Sequence, residues 1–182
     1  MTGSIVPVWQ QVTPELQSEL IAFWARNHAI TDPTQIAARA QQAVCVGRDE
    51  KGELWGVGTA YLGVLPSLGQ PTYFYRQFFS EAARGQRMTI PFFDRVVETL
   101  QAHNASLPAP ESIGVLLELQ NQMLSSRYTA AYMPVGDSIF IGYSPRGNQL
   151  RVTYFEGAQL LLPPPPPRQR RVPRRRDEVR DA

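Results

Sequence analysis

Three observations predict a single mixed α/β domain followed by a tail that does not fold alone. Hydrophobic residues make up 43% of 182 positions, enough for one sizeable core but too short a chain for two ordinary domains. Apolar spacing switches repeatedly between helical and extended along residues 1–162. At Pro163 the composition then changes abruptly to proline and arginine. The predicted element order is β-α-α-β-β-β-α-β-α-β-β, with 1–162 as the domain and 163–182 as the tail.

Residues 4–12, SIVPVWQQV, are rich in strand formers and end at Thr13-Pro14-Glu15. A capping threonine, a proline at the first helical position and an acid in the first turn together start a helix. Leu16, Leu20, Phe23 and Trp24 give it one apolar face through about Ala29. Asp32-Pro33 repeats the start signal for a second, shorter helix carrying Ile36, Ala37 and Ala40.

From Ala43 the period becomes extended. AVCVGR, a DEKGE turn with Gly52, and LWGVGTAYLGVLP read as a β-hairpin. Turn formers fill Pro66 to Pro71, and an aromatic strand, TYFYRQFFSE, begins at Thr72. It breaks into RGQRMT, residues 84–89, ahead of a helix whose buried face is Ile90, Phe93, Val96, Val97 and Leu100 and which ends near Asn104. A strand, a tight loop and a helix N-terminus in that order suit an anion, because unpaired N–H groups and the helix dipole converge there. SIGVLLELQ is a nearly continuous apolar run, as expected of a strand covered on both faces. A further helix is expected from about Gln122 to Tyr132, stopped by Pro134 and Gly136. Two last strands, near Ser138–Tyr143 and Leu150–Phe155, flank the turn sequence SPRGN.

Several function classes are disfavoured. One cysteine, Cys45, excludes an internal disulfide framework, and two histidines, His28 and His103, offer no metal-ligand cluster, so no metal is expected. Cys45 within a strand reads as an inert buried thiol. The start of the chain has no signal-peptide pattern and no apolar run reaches membrane-spanning length, which predicts a soluble, cytoplasmic protein without membrane contact. The net charge of +2 is uneven: the tail holds seven arginines against three acids, the rest eleven cations against thirteen acids. Five consecutive prolines and then RQRRVPRRRDEVRDA predict an extended, disordered segment, open to nucleic acid or a proline-recognising partner, or acting as a solvated extension.

The element order, the glycine-containing hairpin LWGVGTAYL, the RGQRMT loop and the sequence YMPVG at 132–136 together resemble the GNAT superfamily of N-acetyltransferases across essentially all of residues 1–160. The loop departs from the family pattern: Arg84 fits its first position, while Arg87 and Thr89 stand where small residues are usual. The resemblance implies a mixed sheet whose two central parallel strands splay to admit the pantetheine arm of acetyl-CoA. It implies that Phe78, Phe79 and Ser80 line that arm, and that Arg84, Gly85, Gln86, Arg87, Met88 and Thr89 cradle the pyrophosphate. Arg87 would either curl onto the phosphates or cover the loop's N–H groups, and Thr89 can still cap the helix. Asn121 resembles the asparagine that opens the family's next helix.

Direct acetyl transfer to an amine is the activity so implied. Tyr132, by its spacing to Gly136, and Tyr128, by its spacing from Asn121, compete to protonate the leaving thiolate. Both fall within the expected helix, one turn apart on the same face. Glu118, an acid inside an apolar strand, and Glu81, at the end of the aromatic strand, are the candidate bases; Glu118 also reads as a structurally paired acid. The acceptor amine, on a small molecule or a peptide, is not encoded in any readable motif, and a homodimer through the last strands is open. The alternative is a non-catalytic binding or assembly module of the same fold.

Overall fold

The computed structural model describes residues 3–30 and 32–162, so the proline- and arginine-rich tail lies outside the described residues. One eight-stranded sheet runs through the domain in the order β1-β2-β3-β4-β5-β8-β7-β6. Strand β1 is Gly3–Pro7, β2 Ala43–Asp49, β3 Leu54–Val64, β4 Pro71–Phe79 and β5 Gly114–Leu119. The far side holds β6 Tyr132–Met133, β7 Ser138–Tyr143 and β8 Gln149–Tyr154. Every pairing is antiparallel except β4 with β5.

The helices begin where their caps are written. In α1, Pro14–Arg26, the Leu16 amide donates to Thr13 Oγ1 at 3.3 Å. In α2, Pro33–Gln41, the Thr34 amide donates to Asp32 Oδ1 at 2.9 Å. Each cap satisfies a donor that the first helical turn leaves without a partner. The long helix α3, Thr89–Ser106, starts at Met88 with no side-chain cap, so Thr89 is its first residue and caps nothing. At its other end the buried Asn104 amide donates to Ser112 O and accepts from the backbone N–H groups of Glu111 and Ser112. That amide fixes the entry into β5.

Two apolar layers hold the sheet. Leu20, Phe23 and Trp24 of α1 meet Val46 and Val57 on one face, with Phe78 against them. On the other, Phe92, Phe93, Val96 and Leu100 of α3 pack on Trp55, Tyr73, Tyr75, Phe79 and Val115. Strand β3 makes room for those rings with glycine: a Cβ on Gly56 would lie 2.6 Å from the Phe79 ring, and one on Gly58 2.9 Å from Phe92.

Two expectations need correction. The fourth helix, α4, spans only Gln122–Arg127, and Tyr128 is its C-cap. The chain then crosses to the two-residue strand β6, which pairs with β7, so Tyr132 stands on a strand and not on the helical face of Tyr128. A 3-10 turn, Glu81–Ala83, also separates β4 from the loop.

The ring packing around Gly56 sets a measurable cost. Gly56→Ala should lower stability by about 1–3 kcal/mol in urea denaturation with little change in m, because the new methyl displaces the Phe79 ring from its seat between Trp55 and Phe92.

Candidate active site

The sheet opens between its two halves. Strands β4 and β5 pair at Tyr73 with Val115, Phe74 with Leu116 and Tyr75 with Leu117, and no further. Yet β4 stays paired to β3 out to Phe79, and β5 to β8 out to Leu119. The gap is therefore a divergence of two intact half-sheets and not a frayed strand end.

Ladder geometry says which backbone groups face it. The Ser80 amide donates to Trp55 O at 2.9 Å. In an antiparallel pair alternate residues bond to the same neighbour, so Gln77 and Phe79 turn their N–H and C=O groups toward the gap. One of them is taken: Arg84 Nε donates to Phe79 O at 3.3 Å, and the Arg84 guanidinium lies 5.6 Å from the centre of the Phe78 ring. The side chains of Phe78 and Phe79 are committed elsewhere, Phe78 edge-on to Phe23 and Phe79 against Trp55 and Phe92. Of the two, only Phe79 borders the opening, and it does so with its backbone and not its ring.

A cavity of about 70 Å³ fills the gap, walled by Gln77, Phe93, Leu117, Leu119, Tyr128 and Arg151 and reaching Thr89 and Ile90 at the start of α3. The first backbone bond across that helix end runs from Phe92 N–H to Met88 O at 3.0 Å, and Pro91 has no N–H. The Thr89 and Ile90 amides thus precede the ladder and have no intrahelical acceptor. The preceding loop bends through two left-handed residues, Gly85 at φ 79° and Arg87 at φ 58°. Arginine holds that conformation at a cost of about 1–2 kcal/mol, so the backbone here keeps a shape that glycine adopts freely. Arg84, Gly85, Gln86 and Arg87 are all exposed, while Met88 packs partly into the core.

The remaining expected residues separate clearly. Tyr128 is half-buried on the cavity wall. Tyr132 is 51% exposed and off that wall, with its phenol bonded to Asp137, which raises its pKa. Asn121 caps α4, accepting from the Met123 amide at 2.9 Å and from Leu124 at 3.4 Å. Ser80 precedes the 3-10 turn and Glu81 opens it, exposed and away from the cavity. Glu118 alternates with Leu117 and Leu119 and so projects from the opposite face of β5. Burial pushes its pKa up, but hydrogen bonds from Asn148, Ser144 and Gln120 and the charge of Arg146 outweigh this, leaving it below the ordinary 4.5. Cys45 is fully buried, and burial raises its thiol to about 11, which leaves it inert.

Three cavity residues escaped the sequence reading. Gln77 Oε1 accepts from the Tyr75 hydroxyl at 2.8 Å. Ser138 and Arg151 are both buried, and Arg151 Nε donates to Ser138 Oγ at 3.2 Å. An arginine inside an otherwise apolar strand, RVTYF, was the available signal for Arg151.

The arrangement of this sheet and its helices as a whole recurs in solved structures. The acetyltransferase of GNAT family from Streptococcus pneumoniae superposes with a TM-score of 0.58 at 11% identity, covering 85% of this chain and 99% of that one. This chain has the GNAT fold. A GNAT-family acetyltransferase from Staphylococcus aureus Mu50 gives 0.51 at 12% identity, covering 84% and 99% of the two chains. AtaTR bound with AcCoA gives 0.50 at 13% identity, covering 83% and 94%. No protein-family model and no curated protein matches the sequence. Within the GNAT fold, no helix among the described residues is long and apolar enough to cross a membrane, and no group of acids, histidines and cysteines there could hold a metal ion.

The lowered pKa of Glu118 has a stability consequence. A carboxylate whose folded value lies below its unfolded one contributes stability above the unfolded value and loses it as pH falls through the folded one. Glu118→Gln should therefore be less stable than the parent at neutral pH, by less than about 1 kcal/mol because the site is half-exposed. The difference should shrink toward zero by about pH 3 in urea melts run from pH 7 downward.

Proposed function

We propose that this chain is an acyl-CoA-dependent N-acetyltransferase that passes an acetyl group directly to an amine. The observation carrying this reading is the edge left open beyond Tyr75 and Leu117, with Gln77 on the wall of a cavity that reaches Thr89 and Ile90 at the start of α3. An extended amide-bearing arm is complementary to an unpaired strand edge, as in β-strand addition. Phosphates are complementary to the α3 N-terminus and the Arg84–Thr89 loop. That the similar AtaTR structure is bound with AcCoA supports the same ligand here.

The chain's own groups then divide the work. The backbone of Gln77 and Phe79 aligns the arm, and Thr89, Ile90 and the loop amides hold the anion, with Arg84 and Arg87 supplying positive charge at its rim. Bound acetyl-CoA would supply the activated acetyl thioester. Tyr128, on the cavity wall, is the phenol assigned to protonate the departing sulfur; Tyr132, bonded to Asp137 and exposed, is the weaker candidate for that role. Glu118, ionised on the other face, is the carboxylate available to accept the ammonium proton of the acceptor, ahead of the exposed Glu81. Its lowered pKa makes it a weak base, so turnover should rise with pH toward the acceptor amine's own pKa. The acceptor is an amine of a small molecule or peptide.

A second reading, a ligand-binding module without turnover, draws on the absence of either carboxylate from the cavity wall among the described residues. Two measurements separate the readings. Acetyl-CoA at about 100 times its Kd should raise Tm by about 5–10 °C, and no shift at millimolar ligand would overturn the enzyme reading. Release of coenzyme A with an amine panel favours the enzyme, whereas a thermal shift with no release under any amine favours the module. If the enzyme reading holds, Tyr128→Phe should lower kcat about 100-fold with KM for acetyl-CoA little changed, and Tyr132→Phe should leave both near the parent values.

A further inference from the structure

Arg151, in the middle of β8, is 2% exposed, and it makes no ion pair with any acid among the described residues. Burial alone pushes its pKa down, without displacing it from the charged form at neutral pH. A buried guanidinium with no carboxylate is costly unless its donors are all used. Here they are used on neutral oxygens. Nε donates to Ser138 Oγ at 3.2 Å, and Nη1 to Tyr128 O at 3.4 Å and Gln149 Oε1 at 3.3 Å. Nη2 donates to Ala130 O at 2.7 Å, Ala131 O at 3.3 Å and Ser138 O at 3.4 Å.

Three of those acceptors are main-chain carbonyls of residues 128–131, the stretch between α4 and β6 that belongs to no helix or strand. The Ala131 carbonyl also accepts from the Phe140 amide at 2.7 Å. Without Arg151 the Tyr128 and Ala130 carbonyls would lose these partners, leaving the Phe140 bond to Ala131 to tie this stretch to the sheet. Arg151 and Tyr128 line the same cavity.

We infer that Arg151 is a positioning residue: its guanidinium gathers the carbonyls of Tyr128, Ala130 and Ala131 and thereby sets the Tyr128 side chain on the wall of the opening between β4 and β5. The functional half of this inference rests on the general-acid reading of Tyr128; the structural half does not. Lysine is the informative replacement, because it keeps the charge but offers three donors from one nitrogen in place of a five-donor planar fork.

The test combines hydrogen exchange on the free protein with a double-mutant cycle. In the ligand-free chain, Arg151→Lys should speed amide exchange across residues 128–133 by at least about tenfold while α1 and the β2–β3 hairpin keep their protection. In turnover, Arg151→Lys should lower kcat about 10- to 100-fold, with a smaller change in KM for acetyl-CoA. In a Tyr128→Phe background the same substitution should cost almost nothing further, since the hydroxyl it places is gone. Unchanged exchange over 128–133 would overturn the inference, and so would an equal kcat loss with and without the Tyr128 hydroxyl. Should Tyr128→Phe alone leave kcat intact, the general-acid reading fails, while faster exchange in Arg151→Lys would still support Arg151 as the residue that holds the segment. If lysine prevents folding, Arg151→Gln in the same exchange measurement takes its place.

Discussion

Three residue pairs join the two halves of the sheet, and everything proposed for this chain depends on their being only three. Tyr73, Phe74 and Tyr75 pair with Val115, Leu116 and Leu117, after which the strands part. Pairing extended by two residues would close the cavity and consume the Gln77 and Phe79 backbone groups. Pairing lost altogether would leave two separate four-stranded pieces, β1-β2-β3-β4 and β5-β8-β7-β6. The aromatic layer prevents the second outcome: Tyr73 and Tyr75, on the same face as Phe79, are buried against α3 together with Val115. The same helix supplies the cavity floor through Phe93 and its rim through Thr89 and Ile90. One element both clamps the closed end of the gap and presents amides at the open end.

The Arg84–Thr89 loop is constrained from the same direction. Phe79 is held between Trp55 and Phe92, Arg84 reaches back to the Phe79 carbonyl, and Met88 packs against the α3 core. Between these anchors the chain needs a sharp bend, and Gly85 and Arg87 supply it in left-handed conformations. The arginine stands in the glycine-like shape that the resemblance would lead one to expect, with its side chain in solvent.

How much of this could be read beforehand follows from which forces are local. The starts of α1 and α2 were legible because Thr13-Pro14 and Asp32-Pro33 are caps, decided within four residues. The β2–β3 hairpin and the β7–β8 turn were legible because Gly52 and the SPRGN sequence are local turn chemistry. Pro134 is the first local stop and so predicts a helix through Tyr132, whereas the chain leaves the helix after Arg127 and its next carbonyls bond to Arg151, more than twenty residues on. The alternation of Tyr73, Tyr75, Gln77 and Phe79 was visible, but which edge of the strand would go unpaired was not, since that depends on a partner strand some forty residues away. The choice between Tyr128 and Tyr132 needed the same long-range information.

Glu118 and Arg151 show how one sequence signal leads to two physical outcomes. Each is a charge inside an apolar strand, and β5 and β8 are neighbours, yet they leave the sheet on different terms. Glu118 projects from the face opposite the cavity, where Asn148, Ser144 and Gln120 surround it and its ionised form is favoured. Arg151 projects into the protein and is satisfied by carbonyls that have no ladder of their own. The arginine therefore organises backbone, while the glutamate is held ionised by hydrogen bonds on the other face. Of the two, the residue with no ionic partner is the one tied to the cavity, because a charge that must be buried there recruits whatever irregular chain lies nearby, and in this fold that chain carries Tyr128.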